Sequence, residues 1–541
     1  MLCIAILLRL PSNSPESDQF PLSESSTDTP HSSASSGLLS ELMQANHTTF
    51  FSPTPPPQQP VLSLPWETSR YVLVQLSLQN LLAEPGLFQV YHQFLSSVLP
   101  HIEVMALFHR SEYKQIPAFL QAMQDKMHDP SLLDRLVWVP SDTQSIWVRD
   151  YGPQFAHNRS NQLVVYDNSF RDPRTEISNL LSLEASRKAE GQHPLSSTFY
   201  SEIERLRGDD MAPSVVATFL NLYHEDPVLL VRPPLALLGG DLIPIRSKEV
   251  IVSQSTLESN GGRADLLVRL MRRYYGIDKV HFLSHLPGNT INHLDFILAP
   301  LDENTILIAT PPPAPAANRI YQRLLHREIT QVLEKNRRYL QKHFPRHRLI
   351  EVPLPPLAVD TDANIMERLT ITLVQTVATQ MGLSPDEAFQ YDSTRPDVRR
   401  LHPDLWQKIR DDTGIDSLSN LQQLSLACQH YFGQSSEQIL NLYVENFAVY
   451  RSYLNALQVV NPDGHEHLFI PRYQPRSDEE QSLIPELEKQ VLAAYREARP
   501  NASLHWIDCD PLIDDLGAVH CFASTIPEIR KPSQHGATRP R

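Results

Sequence analysis

From residue 70 onward, apolar positions come in short runs separated by polar, glycine- or proline-bearing stretches. "RYVLVQLSL" (70–78), "EVMALFH" (103–109) and "RLVWVP" (135–140) are β-branched and apolar, and they read as strands. Between them the apolar positions of 86–99 and 112–127 recur at helical spacing. The rhythm then repeats. "NQLVVYDNSF" reads as a strand, 212–224 as a helix, "LALLGGDLIPI" as a strand with a glycine pair, "KEVIVSQSTL" as a strand and 264–275 as a helix. "HLDFILAPL" and "NTILIAT" pair around "DEN", and "LQVVN" and "HLFIPRY" pair around "PDG". A helix over 482–497 and the strand "SLHWID" lead to the last segment. About five strand–helix groupings result, the signature of a mixed α/β chain.

Three stretches break that rhythm. Residues 1–66 are Ser-, Thr- and Pro-rich and end in "SPTPPPQQP". Such a stretch buries too little apolar area to offset its ordering entropy, so it is expected to be disordered, as is a tail at 531–541. Residues 171–208 are polar and irregular. Residues 358–446 read as a helical block. Met366, Leu369, Leu373, Val377 and Met381 share a helical face, Gly382 offers a C-cap, and "SPDE" (384–387) is a capping box. Both of the latter stretches are expected to be insertions into a common scaffold over 67–530.

Composition narrows the classes. Among 541 residues, 47 basic and 62 acidic side chains give a formal charge of −15. That balance speaks against nucleic acid as a partner and favours a cationic small molecule. No apolar run is long enough to span a bilayer. Cys3, Cys428, Cys509 and Cys521 form neither a disulfide framework nor a C-x-x-C clip. A cytoplasmic location is the expectation. Secretion is the alternative, since "MLCIAILLRL" has a short apolar run like that of a signal peptide. The N-x-S/T sites at Asn46, Asn158 and Asn501 are no more than chance matches.

Four segments carry candidate chemistry. "IWVRDYGPQF" (146–155) sets Trp147, Arg149 and Asp150 ahead of a Gly-Pro stop. "NHLDF" (292–296) holds His293 and Asp295, which share a face if the segment is a strand. "GGD" (239–241) combines a close backbone approach at Gly240 with the carboxylate of Asp241. "GAVHC" (517–521) presents Cys521. Each has a commonplace reading when taken alone: an ion pair bracing a turn, a chance H-x-D, a bulge, a buried thiol. His505, Asp508, Cys509 and Asp510 also cluster in sequence, but at the wrong spacing for a zinc site.

The four segments in this order, each read at a strand end, resemble the guanidine-modifying enzyme superfamily, and within it the agmatine deiminase and bacterial peptidylarginine deiminase branch. "STLESN" (255–260), "VPLPP" (352–356) and "RSYLNALQVVNPDGHEHLFIPRY" (451–473) extend the resemblance over most of 70–530. It implies the pentein fold, an α/β-propeller of five ββαβ units about a pseudo-fivefold axis, with a helical insertion here.

The resemblance also implies a reaction and its residues. Asp150 and Asp295 would hold a planar guanidinium by forked hydrogen bonds. Cys521 would attack its carbon, and His293 would act as acid for ammonia and then as base for water. Trp147, Gly240 and Asp241 would line the substrate slot. No metal and no organic cofactor is implied. The substrate would be an arginyl peptide or a small guanidino molecule such as agmatine. Arg149 would brace its loop, Cys428 and Cys509 would be structural, and His520, on a regular strand, would face away from the site. One position departs from the pattern: agmatine and arginine deiminases carry Glu before the glycine pair, and this chain has Leu238. Two alternatives follow, an amidinotransferase of the same fold and a pentein that binds without catalysis.

Overall fold

The computed structural model describes residues 53–169, 208–224, 227–287, 293–315, 320–359, 370, 373–374, 376–383, 389–392, 395–417, 421–432, 448–513 and 517–529. Residues 1–52, nearly all of 171–208, Met366, Leu369, the capping box at 384–387 and the tail at 531–541 lie outside them.

Five sheets among the described residues share one pairing pattern. In each, a first strand runs antiparallel to a second, and the second runs parallel to a third reached through a helix. The second unit has strands Gln154–His157, Leu163–Tyr166 and Leu229–Val231, with helix Ala212–Tyr223 before the last. The third has Leu242–Arg246, Glu249–Ser253 and Lys279–Leu283 around helix Ala264–Tyr275. The fourth has Leu298–Asp302, Thr305–Thr310 and Arg348–Pro353 around helix Ile320–His343. The fifth has Leu457–Val460, Glu466–Arg472 and Ser503–Asp508 around helix Asp478–Ala498. The first unit is closed by the end of the chain. Its strands Ser69–Leu76 and Glu103–His109, with helix Pro85–Val98 between them, take the C-terminal strand Ala523–Pro527 as antiparallel partner. Strand Leu136–Ser141 extends this sheet at its other edge.

The sequence explains this pattern locally. Val72, Leu73 and Val74 are all fully buried, so the strand between two neighbours reads as a continuous apolar run. Helix Ala264–Tyr275 buries Leu266, Leu267, Leu270, Met271 and Tyr274 on one face and exposes Arg269 and Arg272. It stops at Gly276, whose φ of +69° only glycine adopts freely. A β-carbon there would also meet the carbonyl oxygen of Pro60 at 2.0 Å.

Two expectations are corrected. The Pro-rich segment is not unordered throughout. Val61–Leu62 pairs antiparallel with His157 and Ala156, and Thr54 N–H donates to the carbonyl of Arg232. Its backbone groups find partners at a sheet edge, which composition alone does not reveal. Nor is 358–446 wholly helical. Phe389–Asp392 and Arg395–Leu401 form an antiparallel pair, and Ala358–Val359 pairs with Ala448–Val449. The helices Pro403–Thr413 and Leu421–Phe432 pack with Leu373, Val377 and Cys428 in a small core of their own. Gly382 takes the expected left-handed cap, with φ of +75°. No described helix is long and apolar enough to cross a membrane.

Phe155, Ile243, Leu298, Leu457 and Thr525, one from the first strand of each unit, line a common cavity of about 130 Å³. Arg149, Gly239, Asp295 and His520 line it as well, so the candidate chemistry borders this space.

Candidate active site

The four chemical segments share a local structure unlike the one expected. None is a strand end. Each is a single helical turn immediately before the first strand of a unit: Val148–Tyr151, Gly239–Asp241, Leu294–Phe296 and Val519–Phe522. Turns of three or four residues carry no periodic signal, so the sequence hides them. Their consequence is a set of side chains aimed together from four units.

Cys521, His293 and Asp295 converge. One donor atom from each lies within 4.8 Å of those of the other two. All three are buried, with His293 wholly inaccessible. Asp150 approaches from the fourth segment, its Oδ1 3.7 Å from Nδ1 of His293. Asp241 is buried nearby, and its Oδ2 accepts from Thr256 Oγ1 at 3.1 Å. Burial pushes the Asp241 carboxyl up to about 6, against the pull of His293 and the hydroxyl partners.

Glycines at two positions permit this packing. A β-carbon on Gly240 would fall 2.5 Å from Nδ1 of His293, inside the imidazole's own space. The glycine pair is therefore a seat for that ring rather than a bulge. A β-carbon on Gly517 would fall 2.1 Å from the indole of Trp147. Trp147 thus lies against the backbone that leads to Cys521. Arg149 braces the same region as expected, donating to the carbonyls of His520 and Ala523.

His520 requires correction. On a helical turn successive side chains rotate by about 100° rather than 180°, so His520 need not face away from the site when Cys521 faces it. Its Nδ1 donates to Oδ2 of Asp295 at 2.6 Å. Burial, and then the charge of Arg149, hold its pKa below the usual histidine range. Asn455 was also missed, although it lies within the quoted 451–473 segment. It is wholly buried. Its Oδ1 accepts from His520 N–H at 3.1 Å and from Cys521 Sγ at 3.4 Å. Leu238 is partly buried among apolar neighbours and places no carboxylate at the glycine pair.

The electrostatics favour a cation. Two carboxylates, Asp295 and Asp150, act on the thiol, and a third, Asp241, acts on His293 and Asp295 beside it. Burial and then the charges of Asp295 and Asp150 drive the Cys521 thiol well above the ordinary range. Among the described residues, Oδ1 of Asp295, Oδ1 of Asp241 and both ring nitrogens of His293 have no hydrogen-bond partner despite burial. Unsatisfied acceptors of this kind cost free energy, on the order of 1–3 kcal/mol each, unless a ligand meets them. Among the described residues, His293, Asp295 and Cys521 are also one of two close-set donor groups in which a metal could sit. A protonated thiol is a poor metal ligand, and the carboxylates match the planar N–H donors of a guanidinium better.

No protein-family model matches the chain, and no curated protein matches its sequence. Solved structures do match. Over 87% of its length the chain is similar to a provisionally assigned arginine deiminase from Porphyromonas gingivalis, with a TM-score of 0.51, 14% identity and 98% of that chain covered. It is similarly related to C. jejuni agmatine deiminase in a Cys-to-Ser form with substrate bound, with a TM-score of 0.51, 12% identity and 96% covered. The agmatine deiminase of Enterococcus faecalis gives a TM-score of 0.50 at 11% identity with 97% covered. At these identities the likeness is one of fold. The chain therefore has the mixed α/β pentein fold of the agmatine deiminases, the family its motifs resemble.

Proposed function

We propose that the chain hydrolyses a guanidinium to a ureido group and ammonia through a covalent thiouronium on Cys521. The observation that carries this reading is the convergence of thiol, imidazole and carboxylate within 4.8 Å, beside buried acceptors that lack donors. The guanidinium N–H groups meet Asp150 and Asp295, with Asp241 available on the side where Leu238 offers nothing. Its positive charge offsets the carboxylates that keep the thiol protonated, so the nucleophile ionises when substrate binds.

The thiol's proton passes to His293, and sulfur attacks the guanidinium carbon. His293 delivers a proton to the departing nitrogen, and ammonia leaves. Water, deprotonated by the same imidazole, adds to the thiouronium carbon. The carbon–sulfur bond breaks and the ureido product is released. His520 and Asn455 are positioning residues in this scheme: one orients Asp295, the other the thiol. We further read the five units as a propeller around the shared cavity, with the site at one end of it.

The substrate lacks the additional carboxylate grip that Glu at position 238 would supply. An arginyl peptide or a larger guanidino compound is therefore favoured over agmatine. The test is a panel of agmatine, free arginine and an arginyl peptide, read by ammonia release and by the mass of the ureido product. Cys521→Ala is expected to abolish turnover. Unchanged turnover in that variant, or no ammonia from any member of the panel, overturns the reading.

A further inference from the structure

A second cluster of donor side chains lies away from the thiol. His101, His467 and His505 each place one ring nitrogen within 4.8 Å of the other two. His467 and His505 stand on the paired strands of the fifth unit, where His467 lies opposite Ser503 and Phe469 opposite His505. Nδ1 of His467 is 3.2 Å from Nε2 of His505. Tetrahedral ligation at about 2.0–2.1 Å spaces imidazole nitrogens by roughly 3.3 Å, so this pair already has a ligand-like separation. His101 comes from the first unit, in the loop between helix Pro85–Val98 and strand Glu103–His109. Its ring is stacked on that of His467, with centroids 3.8 Å apart.

Packing alone accounts poorly for this arrangement. His467 is only 4% exposed, yet its Nε2 has no hydrogen-bond partner among the described residues. Three imidazoles that each bring one ring nitrogen within 4.8 Å of the others, with Nδ1 of His467 and Nε2 of His505 already facing each other, are arranged as nitrogen ligands of a cation are. His101 and His505 are half-buried, which leaves a path from solvent and lets the His101 ring turn toward the other two. No carboxylate belongs to the group, which disfavours magnesium and calcium; three neutral nitrogens suit borderline ions of the zinc class.

We propose that His101, His467 and His505 form a zinc-class metal site that staples the fifth unit to the first. The fourth ligand position opens to solvent and takes water. Gln93, whose side chain donates to the carbonyl of Trp506 and accepts from Asp508 N–H, and Phe94, whose ring meets Phe469 edge-on, already tie this junction, so the ion reinforces an existing seam. This site is independent of the deiminase reading.

The experiment uses the full chain carrying Cys521→Ala, which removes the competing thiol. Protein freed of metal by chelation is mixed with zinc alone, passed through gel filtration and assayed for bound metal. One equivalent retained per chain is expected, with a rise in unfolding temperature of about 3 °C or more; magnesium at the same concentration gives neither. Adding His505→Gln or His101→Gln, both at half-exposed positions, is expected to weaken zinc binding at least tenfold and remove the thermal shift. The metal-free variants should unfold within about 1 °C of their parent. Zinc retained equally by both variants, or by neither parent nor variant, overturns the proposal.

Discussion

Asp295 is held by His520: one carboxylate oxygen accepts from Nδ1 at 2.6 Å, and the other has no hydrogen-bond partner among the described residues. The residue next to the proposed nucleophile thus fixes the orientation of a carboxylate 225 positions earlier in the chain. It also fixes the tautomer, since Nδ1 must carry the proton it donates to a carboxylate.

Removal of this strut should be felt in substrate binding before chemistry. His520→Ala is expected to lower kcat/KM by about tenfold to a hundredfold, mostly through KM, in line with losing a hydrogen bond to a charged group. His520→Asn keeps a donor and should recover part of the loss. Steady-state kinetics on the best substrate of the panel give the answer. Equal losses in kcat for both variants would assign His520 a role in the chemical steps instead.

The thiol gives a second prediction. Its pKa is raised by burial and by Asp295 and Asp150, so the empty site should react slowly with a neutral alkylating agent near pH 7. A cationic haloacetamidine carries its own countercharge and should label Cys521 faster. In Asp150→Asn one negative charge is gone, the thiolate becomes easier to form, and neutral alkylation should accelerate by about tenfold. Mass spectrometry of the labelled peptide against time reads both rates. No acceleration in the variant would place the control of the thiol elsewhere.

Asp241 supplies a pH signature in the unliganded protein. Its folded pKa, about 6, lies above the unfolded carboxyl value of 3.8. Its contribution to stability is therefore full below pH 3.8 and is lost as the pH rises through 6. Above that window the wild type carries a penalty on the order of 2–3 kcal/mol relative to its acid-side value. Asp241→Asn should abolish this fall while retaining an acceptor for Thr256. Denaturant midpoints between pH 4 and pH 8 will show whether the two curves diverge with this sign.

Much of this site could be read from sequence, and the reasons are physical. Asp150, His293, Asp295 and Cys521, which the fold brings together, stand out in the sequence because their chemistry is rare in combination and their order fits a family pattern. His520 was misassigned because its segment looks like the strand that begins two residues later; a one-turn helix changes which neighbours share a direction but leaves no mark on the hydrophobic rhythm. Asn455 has no charge and no periodic position, so nothing local separated it from an ordinary turn asparagine. The strand at Val61–Leu62 was hidden for another reason. Its order comes from a sheet edge about 90 residues downstream, and local composition does not report distant partners.

The C-terminal strand Ala523–Pro527 follows directly on the turn that carries Cys521 and pairs with Ser69–Leu76. During synthesis on the ribosome, the acidic cradle and His293 emerge hundreds of codons before the sulfur does. Under the proposed reaction, a chain made only as far as Asp295 holds carboxylates and imidazole but no nucleophile. Placing the sulfur and pairing Ala523–Pro527 with Ser69–Leu76 are thereby mechanically coupled.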